Sequence, residues 1–511
     1  MGTWEARPIA PVWSPEGDST EGDQRTGSKV GRVADWGVVP LMTAKDTSRT
    51  EGRLQPQGSP RGTQPVQTQR WSPRHASLVR VNDAAIRSRQ TRFTALFHHL
   101  TREALERAFR RLRRKAAPGV DRMTVADYER DLEANLQALH ARLQANQYRP
   151  RPVRRTYILK ADGGQRALGI LAIEDKIVQG AVAEVLNAIY EADFHDTSFG
   201  FRPGRSAHDA LRAVHAAIMT ERVGWVVEAD IRNFFGRVDH AWLMRMIAHR
   251  IADPRILRLI RLWLRAGVME DGVYADTEEG TPQGAGISPL LANIYLHYAL
   301  DLWVAQWRRR AARRHVRLVR YADDYLLLFE DRADALRMLA ALPDRLAKFG
   351  LSLHEGKTRV VEFGRFAAAN RHRRGEGRPE TFDFLGLTHF CGVTRKGGFM
   401  VQRKTQRTRM IRKLKELRAA MKKRRHDPVA DQSRWLGAVL RGHYAYFGIT
   451  GNSASITKFH LAVVQWWRWV LRRRGQRPKL PWARFNAILN RFALPRPRIV
   501  HNWRYQMQAL G

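Results

Sequence analysis

Val316-Arg-Leu-Val-Arg-Tyr321-Ala322-Asp323-Asp324-Tyr-Leu-Leu-Leu-Phe329 is the stretch on which the reading of this chain turns. Two apolar runs, rich in β-branched and aromatic residues, flank a pair of acids. That pattern predicts a β-hairpin with the acids at its bend. Asp favours turns on its own account, so the plainest role for the pair is to make the bend. The other role is chemical. Adjacent carboxylates repel each other, and a divalent cation removes that cost while taking hard oxygen ligands. Two such ions, about 4 Å apart, can clamp the attacking and leaving oxygens of a phosphoryl transfer. That arrangement needs another carboxylate from a neighbouring strand.

Gly224-Trp-Val-Val-Glu-Ala-Asp230-Ile-Arg-Asn-Phe234-Phe235 supplies it. This segment reads as a short buried strand that ends at an acid, and in an antiparallel sheet Asp230, Asp323 and Asp324 can be aimed at one point. Taken singly, Asp230 is equally a strand-end cap or an ion-pair partner. Further upstream, Lys160 and Arg166 flank a Gly turn between predicted strands 153–159 and 165–171. Such a hairpin can hold two cations over a triphosphate, Lys as a point charge and Arg as a fork; the plain alternative is two solvated bases. Gln283-Gly284 precedes a predicted helix over 289–310, with Ser288 as N-cap and Pro289 at N1. There Gly lets a base pair approach the backbone while Gln can hydrogen-bond in its groove. Of Phe234 and Phe235, one belongs in the core; the other can close a sugar pocket against a 2′ hydroxyl, and the sequence leaves open which.

The wider composition agrees with a polyanionic partner. The 511 residues, enough for two or three domains, carry 89 Lys and Arg against 49 Asp and Glu, a net charge of +40. Such an excess points to nucleic acid before an anionic membrane. Residues 402–511 hold 26 Lys and Arg and 3 Asp and Glu, a net +23, so more than half of the excess lies in the last fifth of the chain. The lone cysteine, Cys391, excludes an internal disulfide framework and any Cys-pair zinc module. No apolar run reaches membrane-spanning length and the start lacks a signal-peptide pattern. The expectation is a soluble, cytoplasmic protein, nucleoid-associated when it acts on DNA. Residues 1–75, rich in Gly, Pro, Ser, Thr, Gln and Arg without apolar period, are expected to be a disordered basic tail; a misassigned start or a leader never selected for folding explains them equally well.

Strand and helix runs alternate as far as about residue 390. Beyond it, helices dominate, with runs predicted over 403–425, 429–447 and 456–474. This predicts an α+β domain followed by a helical one.

In chain order the motifs are Lys160…Arg166, Ser198-Phe-Gly-Phe-Arg-Pro, Asp230…Phe234-Phe235, Thr281-Pro-Gln-Gly…Ser-Pro-Leu-Leu-Ala-Asn293, Tyr321-Ala-Asp-Asp324, Gly356-Lys357-Thr358 and Phe384-Leu-Gly386. Leu440-Arg-Gly-His-Tyr444-Ala-Tyr446-Phe-Gly448 follows in the helical part. The set resembles the reverse transcriptases of bacterial group II introns over roughly residues 90–490. The last segment resembles their maturase region, which doubles as the polymerase thumb. The resemblance implies a right-hand polymerase of fingers, palm and thumb that copies RNA into DNA and binds its intron RNA to assist splicing. It implies a disordered tail over 1–75, a helical extension of the fingers over 76–150, fingers and palm over 151–390, and a thumb over 391–480. A basic C-terminal tail over 481–511, able to touch DNA, completes the division.

It further implies two Mg²⁺ ions held by Asp230, Ile231, Asp323 and Asp324, the three acids being catalytic. Lys160, Arg166, Phe234, Phe235 and Gln283 would contact the nucleotide, and Phe384, Leu385 and Gly386 would grip the primer. Partners would be group II intron RNA, a DNA target and primer, and dNTPs, with no membrane. The residues read as RNA-binding from charge density are Arg403, Lys404, Arg407, Arg409, Arg412 and Lys413, packed into one predicted helix. There are departures: Leu159, Ala167 and Ala172 stand where relatives often carry Pro, and His354-Glu355-Gly356 departs from the usual residues before Lys-Thr. The single cysteine and the short C-terminal part fit the endonuclease-lacking type. The competing readings are a splicing-only RNA-binding maturase and a reverse transcriptase serving phage defence or DNA repair.

Overall fold

The computed structural model describes residues 75–159, 165–270, 273–275, 280, 286–394, 396–475 and 480–503. The expected N-terminal tail up to residue 74, Lys160 with its Gly turn, and Gln283 lie outside the described residues; Arg166 is described at its backbone position alone. The strands are β1 (Val153–Leu159), β2 (Gln165–Ile170), β3 (Trp225–Ala229), β4 (Val268–Glu270), β5 (Val273–Ala275), β6 (Val316–Tyr321), β7 (Asp324–Phe329), β8 (Arg359–Glu362), β9 (Phe382–Phe384), β10 (Leu387–Val393) and β11 (Phe399–Thr405). They form three sheets among the described residues, in orders β2-β1-β4-β5, β6-β7-β3-β8 and β11-β10-β9.

The central sheet explains why Tyr325-Leu-Leu-Leu-Phe329 is apolar without alternation. Tyr325, Leu327 and Phe329 face one core, with Val227 and Ala229 of β3. Leu326 and Leu328 face a second core, shared with Val226, Phe382 and Val401. A strand covered on both faces has no solvent side on which to place polar residues. The first core is closed by helices Arg102–Arg110 and Ile173–Asp193 and by the long helical run from Ser288.

Helix ends follow their capping chemistry. Ser206 and Asp209 make a reciprocal capping box ahead of Ala207–Thr220, which satisfies two otherwise orphaned backbone donors. Thr101 caps Arg102–Arg110, accepting from the Ala104 amide. Val125–Arg130 and Leu132–Gln144 are separate helices, broken at Asp131 with φ −119° and ψ 41°. Ser288 is not an N-cap: it is already the first helical residue, after Ile287, with no side-chain cap.

The largest departure lies at the start of the helical part. The helix expected from Arg403 begins at Arg407, and Arg403 and Lys404 belong to β11. Basic residues suit either state, so Gln402-Arg-Lys-Thr gives little local signal, and pairing with β10 decides it. Helices Arg407–Lys423, Val429–Phe447 and Ser453–Leu471 then pack around Leu436, Leu440, Phe459, Val463 and Trp467. The region expected as a C-terminal tail contains helix Trp482–Arg491, whose Phe485 is fully buried in the same core. Trp503 is buried against the second core of the central sheet.

Candidate active site

β3 and β7 are antiparallel neighbours, with Ala229 opposite Tyr325. One step beyond that pair, Asp230 leaves β3 and Asp324 opens β7. Tyr321 pairs with Asp324 across the β6–β7 hairpin, so its turn is Ala322-Asp323. All three acids therefore lie at one end of two adjacent strands. Burial first, then the charges of Asp323 and Asp230, push the Asp324 carboxyl up to about 7; Arg409 and Lys357 oppose that rise. Asp230 is held at both ends: its carbonyl accepts from the His354 amide at 2.8 Å, and its carboxylate pairs with Lys357 Nζ at 2.5 Å. The Ile231 side chain is buried, so only its backbone carbonyl can serve as a ligand.

Among the described residues, no group of three or more His, Cys, Asp or Glu side chains is arranged tightly enough to hold a metal ion alone. Asp230 is paired with Lys357. The donor set still suits a hard cation. It is all oxygen, and Mg²⁺ commonly takes one or two carboxylates and completes its shell with water and substrate phosphates. The raised Asp324 carboxyl is the strain such an ion would relieve.

The turn carrying Asp323 is braced from beneath. Ala322 sits at φ +58°, in the left-handed region that side chains disfavour. Arg320 donates from Nη1 to the Ala322 carbonyl at 3.0 Å and to Asn293 Oδ1 at 2.9 Å. Its other nitrogens pair with Asp301 at 2.8 and 2.5 Å. Asn293 Nδ2 in turn donates to the Gly200 carbonyl at 2.7 Å. Gly200 lies flat on the turn: a Cβ there would stand 2.3 Å from the Ala322 nitrogen. Arg202 keeps its loop in place, donating to the His195 and Ser198 carbonyls at 2.6 and 2.8 Å while paired with Glu191. The sequence motifs contained Gly200, Arg202 and Asn293 without a role; Arg320 and Asp301 went unremarked.

Phe234 and Phe235 sit on a short 3-10 turn after Asn233, which has φ +48°. Both rings are buried, and they meet edge to face. Both rings belong to the same core, and Phe234 also packs against Tyr295 of the helix Ser288–Leu296. Phe384-Leu385-Gly386 turns β9 into β10, with Leu385 at φ +48° and Gly386 at φ +80°.

The six cations read from charge density do not form one surface. Arg403 is buried, its Nη1 3.2 Å from the Thr450 carbonyl and its guanidinium over the Trp503 ring; burial pushes its pKa down to about 9. Lys404 is exposed on β11, and Arg407 and Lys413 are exposed on the helix. Arg412 and Lys413 share Glu416 at 3.7 and 3.6 Å. Arg409 is half-buried and turned toward Gly386. A cationic–aromatic ridge went unread: Arg418, Lys422 and Arg473 surround Trp469 at 4.9, 5.7 and 4.0 Å from its ring centre. The i, i+3 spacing of Trp466 and Trp469 on a basic background was the available signal.

Residues 158–389 match the family described as reverse transcriptase (RNA-dependent DNA polymerase), and this region is a reverse transcriptase domain. Among curated relatives, the chain is 37% identical to Protein YkfC of Escherichia coli over 239 residues, 41% of this chain and 63% of that protein. It is 42% identical to the group II intron-encoded protein LtrA of Lactococcus lactis over 179 residues, 35% of this chain and 29% of the relative. A further match is the nuclear intron maturase 2 of Arabidopsis thaliana, 29% identical over 110 residues, 21% of this chain and 15% of the relative. Two of these relatives are thus named as a group II intron-encoded protein and an intron maturase, and the likeness is confined to the part of the chain that each match covers. The chain spans less than two thirds of the length of these relatives. Among the described residues, no helix is long and apolar enough to cross a membrane.

Proposed function

We propose that the protein is an RNA-directed DNA polymerase of a group II intron that copies intron RNA into DNA and binds that RNA to assist splicing. The observation that carries this reading is the convergence of Asp230, Asp323 and Asp324 at one end of β3 and β7, with the Asp324 carboxyl raised by burial first and then by its two neighbours. Asp230, the Ile231 carbonyl, Asp323 and Asp324 would hold two Mg²⁺ ions. Bound there, the ions would supply charge to activate the primer 3′ hydroxyl and to neutralise the departing pyrophosphate.

The remaining roles fall to the chain's own groups. Asp230 gives up Lys357 when its carboxylate is needed, and the freed ammonium stays beside the site as a local positive charge. Lys160 and Arg166 hold the dNTP phosphates, and Gln283 lies near the template–nucleotide pair. In this reading Phe235 stands against the sugar and excludes a 2′ hydroxyl, while Phe234 packs on Tyr295. Phe384, Leu385 and Gly386 hold the primer strand. The Arg320–Asn293–Gly200 brace fixes the Asp323 turn before any substrate arrives, which removes a reorganisation step from the reaction. Residues 76–150 extend the fingers, and the part from 391 onward acts as thumb and as an intron RNA surface.

The test pairs polymerisation with RNA binding. An Asp323→Ala, Asp324→Ala variant should make no cDNA on a primed RNA template with Mg²⁺, yet bind and help splice the intron at near-normal salt dependence. Full-length cDNA from that variant would sink the metal-site reading. Loss of both functions in a folded variant would argue that the acids serve RNA recognition instead.

A further inference from the structure

Arg409 stands apart from the other thumb cations because it points into the palm. It lies in the first turn of Arg407–Lys423, one residue after β11 gives way to Gln406. Its Nη1 is 2.7 Å, and its guanidinium carbon 3.0 Å, from where a Cβ on Gly386 would stand. Only a glycine in the Phe384-Leu385-Gly386 turn leaves the guanidinium its place, and at φ +80° the same residue suits the turn's backbone. The turn is fastened to the thumb around this point: Gln406 N–H donates to the Gly386 carbonyl at 3.1 Å, and the Tyr446 hydroxyl to the Leu385 carbonyl at 3.0 Å. The charge of Arg409 reaches both the Asp324 carboxyl and the Tyr446 hydroxyl.

We propose that Arg409 is a primer-binding residue that holds the phosphate joining the last two nucleotides of the primer strand. The proposal rests on the polymerase reading above. If a 3′ hydroxyl is delivered to the acids, the phosphodiester just behind it has to pass the acid cluster on the side where β9 turns into β10. An anionic linkage brought beside buried carboxylates needs a dedicated cation. Any cations held by Asp230, Asp323 and Asp324 would be committed to the reacting groups, so the cation for this linkage has to come from the protein. A guanidinium matches two phosphate oxygens at once.

The test is a cycle between protein and nucleic acid. Primer–template affinity is measured by fluorescence anisotropy for wild type, Arg409→Lys and Arg409→Ala. Each is tested with an ordinary primer and with one whose last linkage is an uncharged methylphosphonate. Loss of one charged hydrogen-bonded contact should weaken binding of the ordinary primer about tenfold in Arg409→Ala, with most of the loss restored in Arg409→Lys. The methylphosphonate should cost wild type a similar factor and cost Arg409→Ala nothing further. Independent, multiplying losses would overturn the proposal. So would a lowered melting temperature in Arg409→Ala with unchanged affinity, which would make Arg409 a structural stitch between thumb and palm. Wild type that binds primers with this coupling yet extends none of them would remove the polymerase reading and leave the contact standing.

Discussion

Arg320 and Asp301 form an ion pair with neither side chain exposed to solvent, directly beneath the turn that carries Asp323. Arg320 spends its remaining donors on Asn293 and the Ala322 carbonyl, so the pair couples the helical run after Ser288 to the acid hairpin. Removing one partner strands the other as a buried charge, which typically costs about 3–5 kcal/mol. Asp301→Ala should therefore lower the unfolding free energy by about that amount in urea titration. An unchanged denaturation midpoint would mean that water reaches Arg320 and the pair is not sealed.

Asn293→Ala separates bracing from stability. It leaves the Arg320–Asp301 pair intact and removes the links to Gly200 and Arg320. The expected result is a fall in kcat of about tenfold or more with little change in KM for dNTP, since misplaced groups cost rate before they cost binding. Raised KM with normal kcat would place Asn293 in nucleotide binding rather than in the support of the turn.

Gly200→Ala should be more damaging than its size suggests. The new methyl would stand 2.3 Å from the Ala322 nitrogen and 2.8 Å from the Tyr321 carbonyl carbon, and neither backbone atom can rotate away. The Asp323 turn has to shift, so cDNA synthesis should drop by about 100-fold or more, while circular dichroism and intron RNA binding stay near wild type. Wild-type polymerisation would show that the loop at 198–205 yields instead of the turn.

Sugar selection should follow the two rings unequally. Phe235→Ala is expected to raise ribonucleotide incorporation relative to dNTP. Phe234→Ala should instead destabilise the fold by about 3–5 kcal/mol as a large-to-small core change. Single-nucleotide incorporation with matched dNTP and rNTP distinguishes them. A relaxed ratio in Phe234→Ala alone would reverse the assignment.

The exposed cations on and beside the Trp469 ridge should carry intron RNA affinity. Phosphate neutralisation makes log Kd depend on log salt by about 0.7–0.9 for each contact, and rings flanked by guanidinium groups suit unpaired bases. Replacing Arg407, Lys413, Arg418 and Lys422 with Ala should flatten the slope by up to about 3 in filter binding. An unaltered slope would send the search to the helices of residues 76–144.

The acid hairpin and the strand before Asp230 were legible because strand periodicity and an acid at a strand end are local properties. The brace was not. Gly200, Asn293, Asp301 and Arg320 are far apart in sequence, and nothing near each one announces its partner. β11 was misread for a similar reason: a run of Lys, Arg, Gln and Thr suits helix and strand alike until β10 lies beside it. The helix Trp482–Arg491 was hidden by the surrounding Arg and Pro residues, although Trp482 and Phe485 at i, i+3 were available to suggest it. Arg409 illustrates the limit of charge density: the count of cations on a helix does not say which one turns inward.

Gln406 is the whole of the connection between β11 and the first thumb helix. On either side of that link the chain is pinned: the Thr405 amide donates to Asn452 Oδ1 at 3.0 Å, Asn452 Nδ2 returns a bond to Thr405 Oγ1 at 3.1 Å, and Asn452 is fully buried. If this helical part serves as the thumb proposed above, moving it away from β11 would strain the Thr405–Asn452 clasp, and that cost would oppose release of a bound duplex. On the polymerase reading, run length per encounter would depend on this small polar clasp, and Asn452→Ala should shorten the products of a single binding event, read on a primed template with a trap, without slowing the addition of each nucleotide; unchanged product length would show that the clasp has no part in holding the duplex.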